Sequence, residues 1–222
     1  IVFAIPYQHD YTLIGTTDRE YTGDPAKVAI TDQETDYLLN VVNAHFNHQL
    51  QRSDIFSTYA GVRPLCNDES DNPSAVTRDY TLALSAAHGE APLLSVFGGK
   101  LTTYRKLAES AMAELKPFFS QMGGSWTAES TLPGGEDMTT PQALEEALLA
   151  RHTWLAPAIA QRWARTYGSR VWTLLAGVEG PQDLGQAIGA GLFAREVDYL
   201  REHEWATSLE DILWRRTKLG LF

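Results

Sequence analysis

The chain has 222 residues, 44% of them hydrophobic, with 28 acidic against 18 basic side chains and a net charge of −10. That length suffices for one large or two small cores, and the acidic balance excludes generic nucleic-acid binding and a polybasic membrane anchor. One cysteine, Cys66, excludes an internal disulfide framework and fits a reducing compartment, and no run approaches the ~20 apolar residues of a membrane-spanning helix.

The chain opens β-rich. Val2-Phe3-Ala4-Ile5-Pro6-Tyr7 and Tyr11-Thr12-Leu13-Ile14-Gly15-Thr16 read as strands, joined by a Gln8-His9-Asp10 hairpin turn. Thr31-Asp32-Gln33-Glu34 is a capping box, and the helix it opens carries Leu38, Val41, Val42, His45 and Phe46 on one face. Strands are predicted around residues 55–63, 77–84 and 92–97. With the first pair they suggest an α+β region with a mixed, mostly antiparallel sheet and covering helices. A helix over 102–116 places Tyr104, Leu107, Ala108, Ala111 and Leu115 on one face and ends at Pro117. Gly123-Gly124-Ser125 and Pro133-Gly134-Gly135 then punctuate the chain. The domains are therefore expected at 1–135 and 136–222.

The second part reads as a small all-α domain. Thr140 caps a helix with Pro141 at its first position. Ile159, Trp163 and Tyr167 lie on a second helix ending at Gly168. Ser169 caps a third, with Trp172 and Leu175, and helices over 193–204 and 207–219 complete a bundle. The small-residue run from Gly185 to Gly191 reads as tight helix packing or a loop. Trp154, Trp163, Trp172, Trp205 and Trp214 read as core and interface, and Glu196, Asp198, Glu202 and Glu204 with Arg195 and Arg201 as exposed helix charges. Arg215, Arg216 and Lys218 suit a helix C-terminus. His45 and His48 lack further ligands at metal-binding spacing, so no metal site is expected.

The chemistry concentrates in Ser95-Val96-Phe97-Gly98-Gly99-Lys100-Leu101-Thr102-Thr103-Tyr104-Arg105. Two glycines let the backbone turn and approach a ligand. The helix start supplies free N–H groups, and Lys100 adds a full charge. The same pattern also serves as an ordinary strand-to-helix turn. Upstream, Arg63 precedes Pro64 at an expected strand end, and Arg78 opens another strand. Two arginines beside turns make either a clamp for phosphate or carboxylate, or surface ion pairs of little weight.

Together, Ile14-Gly15-Thr16-Thr17-Asp18, Gly23-Asp24-Pro25, Tyr59-Ala60-Gly61-Val62-Arg63-Pro64-Leu65, Thr77-Arg78-Asp79-Tyr80 and Phe97-Gly98-Gly99-Lys100-Leu101-Thr102-Thr103-Tyr104-Arg105 resemble the FAD-dependent glycerol-3-phosphate dehydrogenases of the D-amino-acid-oxidase-like superfamily. The tail from Ala206 to Lys218 resembles that family's C-terminal helical domain. The resemblance implies that Arg63 and Arg78 hold the substrate glycerol 3-phosphate. It also implies that Gly98, Gly99, Lys100, Leu101 and Thr102 wrap the flavin, with Lys100 stabilising negative charge on the reduced ring. It implies FAD as cofactor, a quinone as electron acceptor and a cytoplasmic location. Peripheral membrane contact and homo-oligomerisation of the intact enzyme stay open, as does the catalytic base. The family's Gly-x-Gly-x-x-Gly turn for the FAD pyrophosphate does not occur here. The chain is therefore expected to be the C-terminal fragment of a longer enzyme, inactive by itself. The alternatives are a glycerol-3-phosphate oxidase using oxygen, and a non-catalytic helical docking module.

Overall fold

The computed structural model describes residues 1–63, 79–87, 89–137 and 140–222. It divides into two compact units, Ile1–Thr127 and Ala128–Phe222.

The first unit begins with the expected hairpin. Strand β1 (Phe3–Tyr7) pairs antiparallel with β2 (Tyr11–Gly15), from Phe3 opposite Gly15 to Tyr7 opposite Tyr11. Helix α1 (Asp32–Asn43) starts at the capping box, with Thr31 accepting from the Glu34 N–H and Glu34 returning to the Thr31 N–H. Leu38 and Val42 are its buried positions, whereas Phe46 lies beyond the helix and is 54% exposed. A second hairpin pairs β3 (Tyr80–Ser85) with β4 (Leu93–Gly98), from Tyr80 opposite Gly98 to Ser85 opposite Leu93. Helix α2 (Tyr104–Leu115) follows, and Tyr80 Oη lies 3.0 Å from Ser110 Oγ on it.

Two expectations need correction here. Residues 55–63 form no strand: the short 3-10 turn Arg52–Asp54 leads into an irregular segment in which Tyr59 is 80% exposed. The β-forming residue types of that stretch have no neighbouring strand to pair with among the described residues, and propensity without a partner does not make a ladder. The described strands also form three separate two-stranded antiparallel sheets rather than one sheet.

The second unit is helical and well packed. Helices α3 (Pro141–Arg151), α4 (Pro157–Tyr167), α5 (Val171–Leu174) and α6 (Ala194–His203) surround one cluster that includes Leu148, Trp163, Val171, Leu174 and Leu200. Thr140 caps α3 by accepting from the Ala143 N–H, and Gly168 ends α4 with φ +56°. Ser169 does not cap α5. A 3-10 turn, Gly168–Arg170, intervenes, and the Ser169 hydroxyl donates to Glu136 at 2.8 Å. The Ser169 N–H donates to the Gly134 carbonyl, so the 132–137 loop belongs with these helices. Here the backbones are in contact. A Cβ on Gly134 would lie 2.8 Å from the Tyr167 carbonyl oxygen, and one on Gly168 would collide with that of Gly134.

The run after Gly185 is neither helix packing nor plain loop: β5 (Ala187–Gly189) pairs with β6 (Leu192–Phe193). The expected last helix is replaced over Asp211–Arg216 by a π-helical turn, where the Thr217 N–H reaches back to the Ile212 carbonyl at 3.0 Å. Trp163 is fully buried, but Trp205 is 85% exposed. Among the described residues no helix is long and apolar enough to cross a membrane.

The largest departure concerns Glu196. It is fully buried, not exposed. Its two carboxylate oxygens accept from Arg162 Nη1 and Nη2 at 2.6 and 2.7 Å, and Tyr167 Oη donates to it at 2.5 Å. Arg162 Nη2 also donates to the Gly191 carbonyl. Burial, then the adjacent Glu196 charge, pushes the Tyr167 hydroxyl far up, so it stays a donor.

Candidate functional site

The turn between β4 and α2 is built by its glycines. Gly98 and Gly99 have φ of +70° and +99°, a region costly for any side chain with a Cβ. Gly99 also rests on Leu107: an added Cβ would be 3.1 Å from its Cδ1. Lys100 is extended, and Thr103 Oγ1 locks its backbone, accepting from the Lys100 N–H at 3.2 Å and donating to the Lys100 carbonyl at 3.0 Å. A 3-10 turn, Leu101–Thr103, then leads into α2. The first hydrogen bond of that turn runs from the Thr103 N–H to the Lys100 carbonyl, so the N–H groups of Leu101 and Thr102 precede it.

The Lys100 ammonium is exposed and makes no ion pair among the described residues. Exposed apolar side chains flank it in sequence, Phe97 at 51%, Leu101 at 89% and Tyr104 at 50%. A positive helix start beside exposed apolar groups suits a flat, apolar ring with acceptors along one edge. Glu109 anchors the helix behind this turn. It accepts from Arg105 and Lys106 at 2.8 Å, from Ser125 at 2.7 Å and from Thr127. The Lys106 ammonium, then the Thr127 and Ser125 hydroxyls, hold its carboxyl well below the usual range, at about 2.

Arg63 stands in the irregular segment, not at a strand end. Its Nη1 donates to Asp18 Oδ2 at 2.9 Å. Asp18 follows Thr17, whose hydroxyl donates to Glu34 Oε1 at 2.7 Å. That bond, then those from Thr31, keep Glu34 below its ordinary carboxylate value. Sequence reasoning picked out Arg63 but not the Asp18–Thr17–Glu34 connection behind it. The nearest sequence signal is the capping box that fixes Glu34. No hydrogen bond or ion pair joins Arg63 to the Lys100 turn among the described residues. Arg78 and Cys66 lie outside the described residues, as do Pro64 and Leu65. Among the described residues no group of three His, Cys, Asp or Glu side chains can hold a metal.

Residues 1–105 match the family described as FAD dependent oxidoreductase, and residues 125–222 match the C-terminal domain of alpha-glycerophosphate oxidase. It is 68% identical over its whole length to a glycerol-3-phosphate dehydrogenase of Pseudomonas aeruginosa and 51% identical to the aerobic glycerol-3-phosphate dehydrogenase of Escherichia coli. It is 44% identical over 98% of its length to the D-erythritol 1-phosphate dehydrogenase of Brucella abortus. The chain spans 43%, 44% and 43% of these three relatives. The flavoprotein match ends at residue 105, so it includes both the glycine turn and Arg63.

Proposed function

We propose that this chain is part of a dehydrogenase that oxidises sn-glycerol 3-phosphate at C2 to dihydroxyacetone phosphate, using FAD and passing electrons to a quinone. The observation that carries the reading is 68% identity to a glycerol-3-phosphate dehydrogenase along all 222 residues. The cationic glycine turn at the start of α2 supports it.

Bound FAD supplies the two-electron acceptor. Gly98, Gly99, Lys100, Leu101 and Thr102 would hold its ring. The glycines bring backbone close, the N–H groups of Leu101 and Thr102 donate, and Lys100 supplies positive charge where negative charge accumulates. Arg63 and Arg78 bind the phosphate end of the substrate. Arg63 contributes a planar fork, and a fixed substrate loses much of the entropic barrier. The helical part is accessory. A quinone acceptor implies work at a membrane surface, and peripheral contact at the cytoplasmic face is part of the proposal. The 222 residues carry no Gly-x-Gly-x-x-Gly turn. Alone, in our reading, they neither retain FAD nor turn over.

The test uses the full-length enzyme with its flavin. Arg63→Ala should raise KM for glycerol 3-phosphate about 10-fold or more with the flavin spectrum retained, and Lys100→Met should lower kcat about 10-fold or more. Flavin loss with normal substrate affinity in Arg63→Ala would overturn the role given to Arg63. Transfer to oxygen is a second reading, favoured by the alpha-glycerophosphate oxidase description of the family matched by residues 125–222. Stoichiometric peroxide during turnover would establish it over the quinone.

A further inference from the structure

Among the described residues Arg63 holds one partner. Its Nη1 donates to Asp18, and its Nε–Nη2 edge has no partner among the described residues. That edge is the one with which a guanidinium grips a phosphate or carboxylate through two parallel hydrogen bonds. The Arg63 and Asp18 side chains are 46% and 38% exposed, so the contact contributes little to stability. Its effect is directional. A long side chain on an irregular segment samples many rotamers, and a ligand must pay for ordering it unless something else has done so first.

Asp18 itself is placed from a rigid element. Glu34 sits in the first turn of α1 and divides its two oxygens. Oε2 completes the capping box with Thr31, and Oε1 reaches out to the Thr17 hydroxyl. The backbone next to Asp18 is thereby tied to the start of a helix. The path runs from α1 through Glu34 and Thr17 to Asp18, and from there across 45 residues of sequence to Arg63.

We propose that Asp18 is a positioning residue: it holds Nη1 of Arg63 so that the Nε–Nη2 edge faces the anionic group of the substrate. This rests on the substrate role proposed above for Arg63. The intact, flavin-loaded enzyme is the material for the test, with glycerol 3-phosphate as the varied substrate. Asp18→Ala should raise KM about 10-fold while kcat stays within about two-fold and the flavin spectrum is unchanged. Asp18→Asn keeps an oxygen that accepts from Nη1 and should recover most of the lost affinity. In the double variant Asp18→Ala with Arg63→Ala, KM should equal that of Arg63→Ala alone.

If Arg63→Ala raises KM but Asp18→Ala does not, the positioning role is overturned and the role of Arg63 survives. If Arg63→Ala leaves KM unchanged, the reading of Arg63 itself fails. Additive effects in the double variant, or an Asp18→Asn enzyme no better than Asp18→Ala, also overturn the proposal. Should Asp18→Ala fail to purify with flavin, Asp18→Ser, small and polar, carries the same comparison.

Discussion

The two units differ in how far their elements bury one another. Residues 128–222 enclose a continuous apolar cluster from Leu144 to Leu219, with Leu148, Trp163, Val171 and Leu200 at its centre. In residues 1–127 the buried apolar side chains among those described are Leu38 and Val42, while Phe3, Phe56, Tyr59 and Phe97 each remain at least half exposed. The difference separates two tasks. The helical unit is organised around its own interior. The other carries the glycine turn between a hairpin and a helix and Arg63 on an irregular segment, with apolar residues that lie open, and a surface of that kind suits contact with something larger than a single substrate.

The sharpest way to break this comparison is to remove a buried charge from the packed unit. Glu196→Ala leaves Arg162, whose side chain is 18% exposed, facing a void, and should destabilise the helical unit by about 3–5 kcal/mol. Urea unfolding followed by tryptophan fluorescence measures it, and a loss below about 1 kcal/mol would mean that the pair is easily rehydrated. Next come cavities. Leu148→Ala should cost about 2–5 kcal/mol, and Leu38→Ala should fall at or below the bottom of that range because Leu38 is partly open to solvent and Leu148 is fully buried. Equal losses would erase the contrast between the units.

The smallest effects are those of pH, and they should separate the units by range. Burial, then the neighbouring Arg151, lowers the pKa of His152. The fold favours its neutral form, so the stability it contributes is present above the unfolded value of about 6.5 and is lost as pH falls below it. The melting temperature of the helical unit should therefore decline on mild acidification, and His152→Leu should flatten that decline. Glu109 in the first unit behaves differently. Its carboxyl titrates at about 2, so its clasp on Ser125 and Thr127 is complete above the ordinary unfolded value and is released only as pH falls towards about 2. The carboxyl-carbon chemical shift of Glu109 should stay constant through the pH range in which the His152 effect appears.

What was legible in the sequence was local. The Thr31–Glu34 capping box, Thr140 before Pro141, and Gly168 closing a helix each follow from a few adjacent residues, and each stands where the pattern puts it. The glycine turn was legible for the same reason: positive φ at Gly98 and Gly99 is a property of those two residues. Interactions between distant residues were not legible. Glu196 sits in a run of charges that reads as a solvated helix face, and only partners 34 and 29 residues earlier, Arg162 and Tyr167, turn it inward. Asp18 and Arg63 both lie in recognisable motifs, yet nothing in either motif announces that they meet. Trp205 fails for a third reason. Its φ of +55° sets it at the turn after α6, 85% exposed while the next residue, Ala206, is buried, and no apolar pattern encodes such a backbone reversal.

The crossing of Gly134 and Gly168 limits how the helical unit can vary. The hydrogen atom on each is the largest group the space admits, and the loop and the end of α4 meet without any side chain between them. Alanine at either position would pry the loop away and unhook Glu136 from Ser169. A saturation library over residues 128–222, sorted for folded protein, should return glycine at these two positions while neighbouring surface sites drift freely.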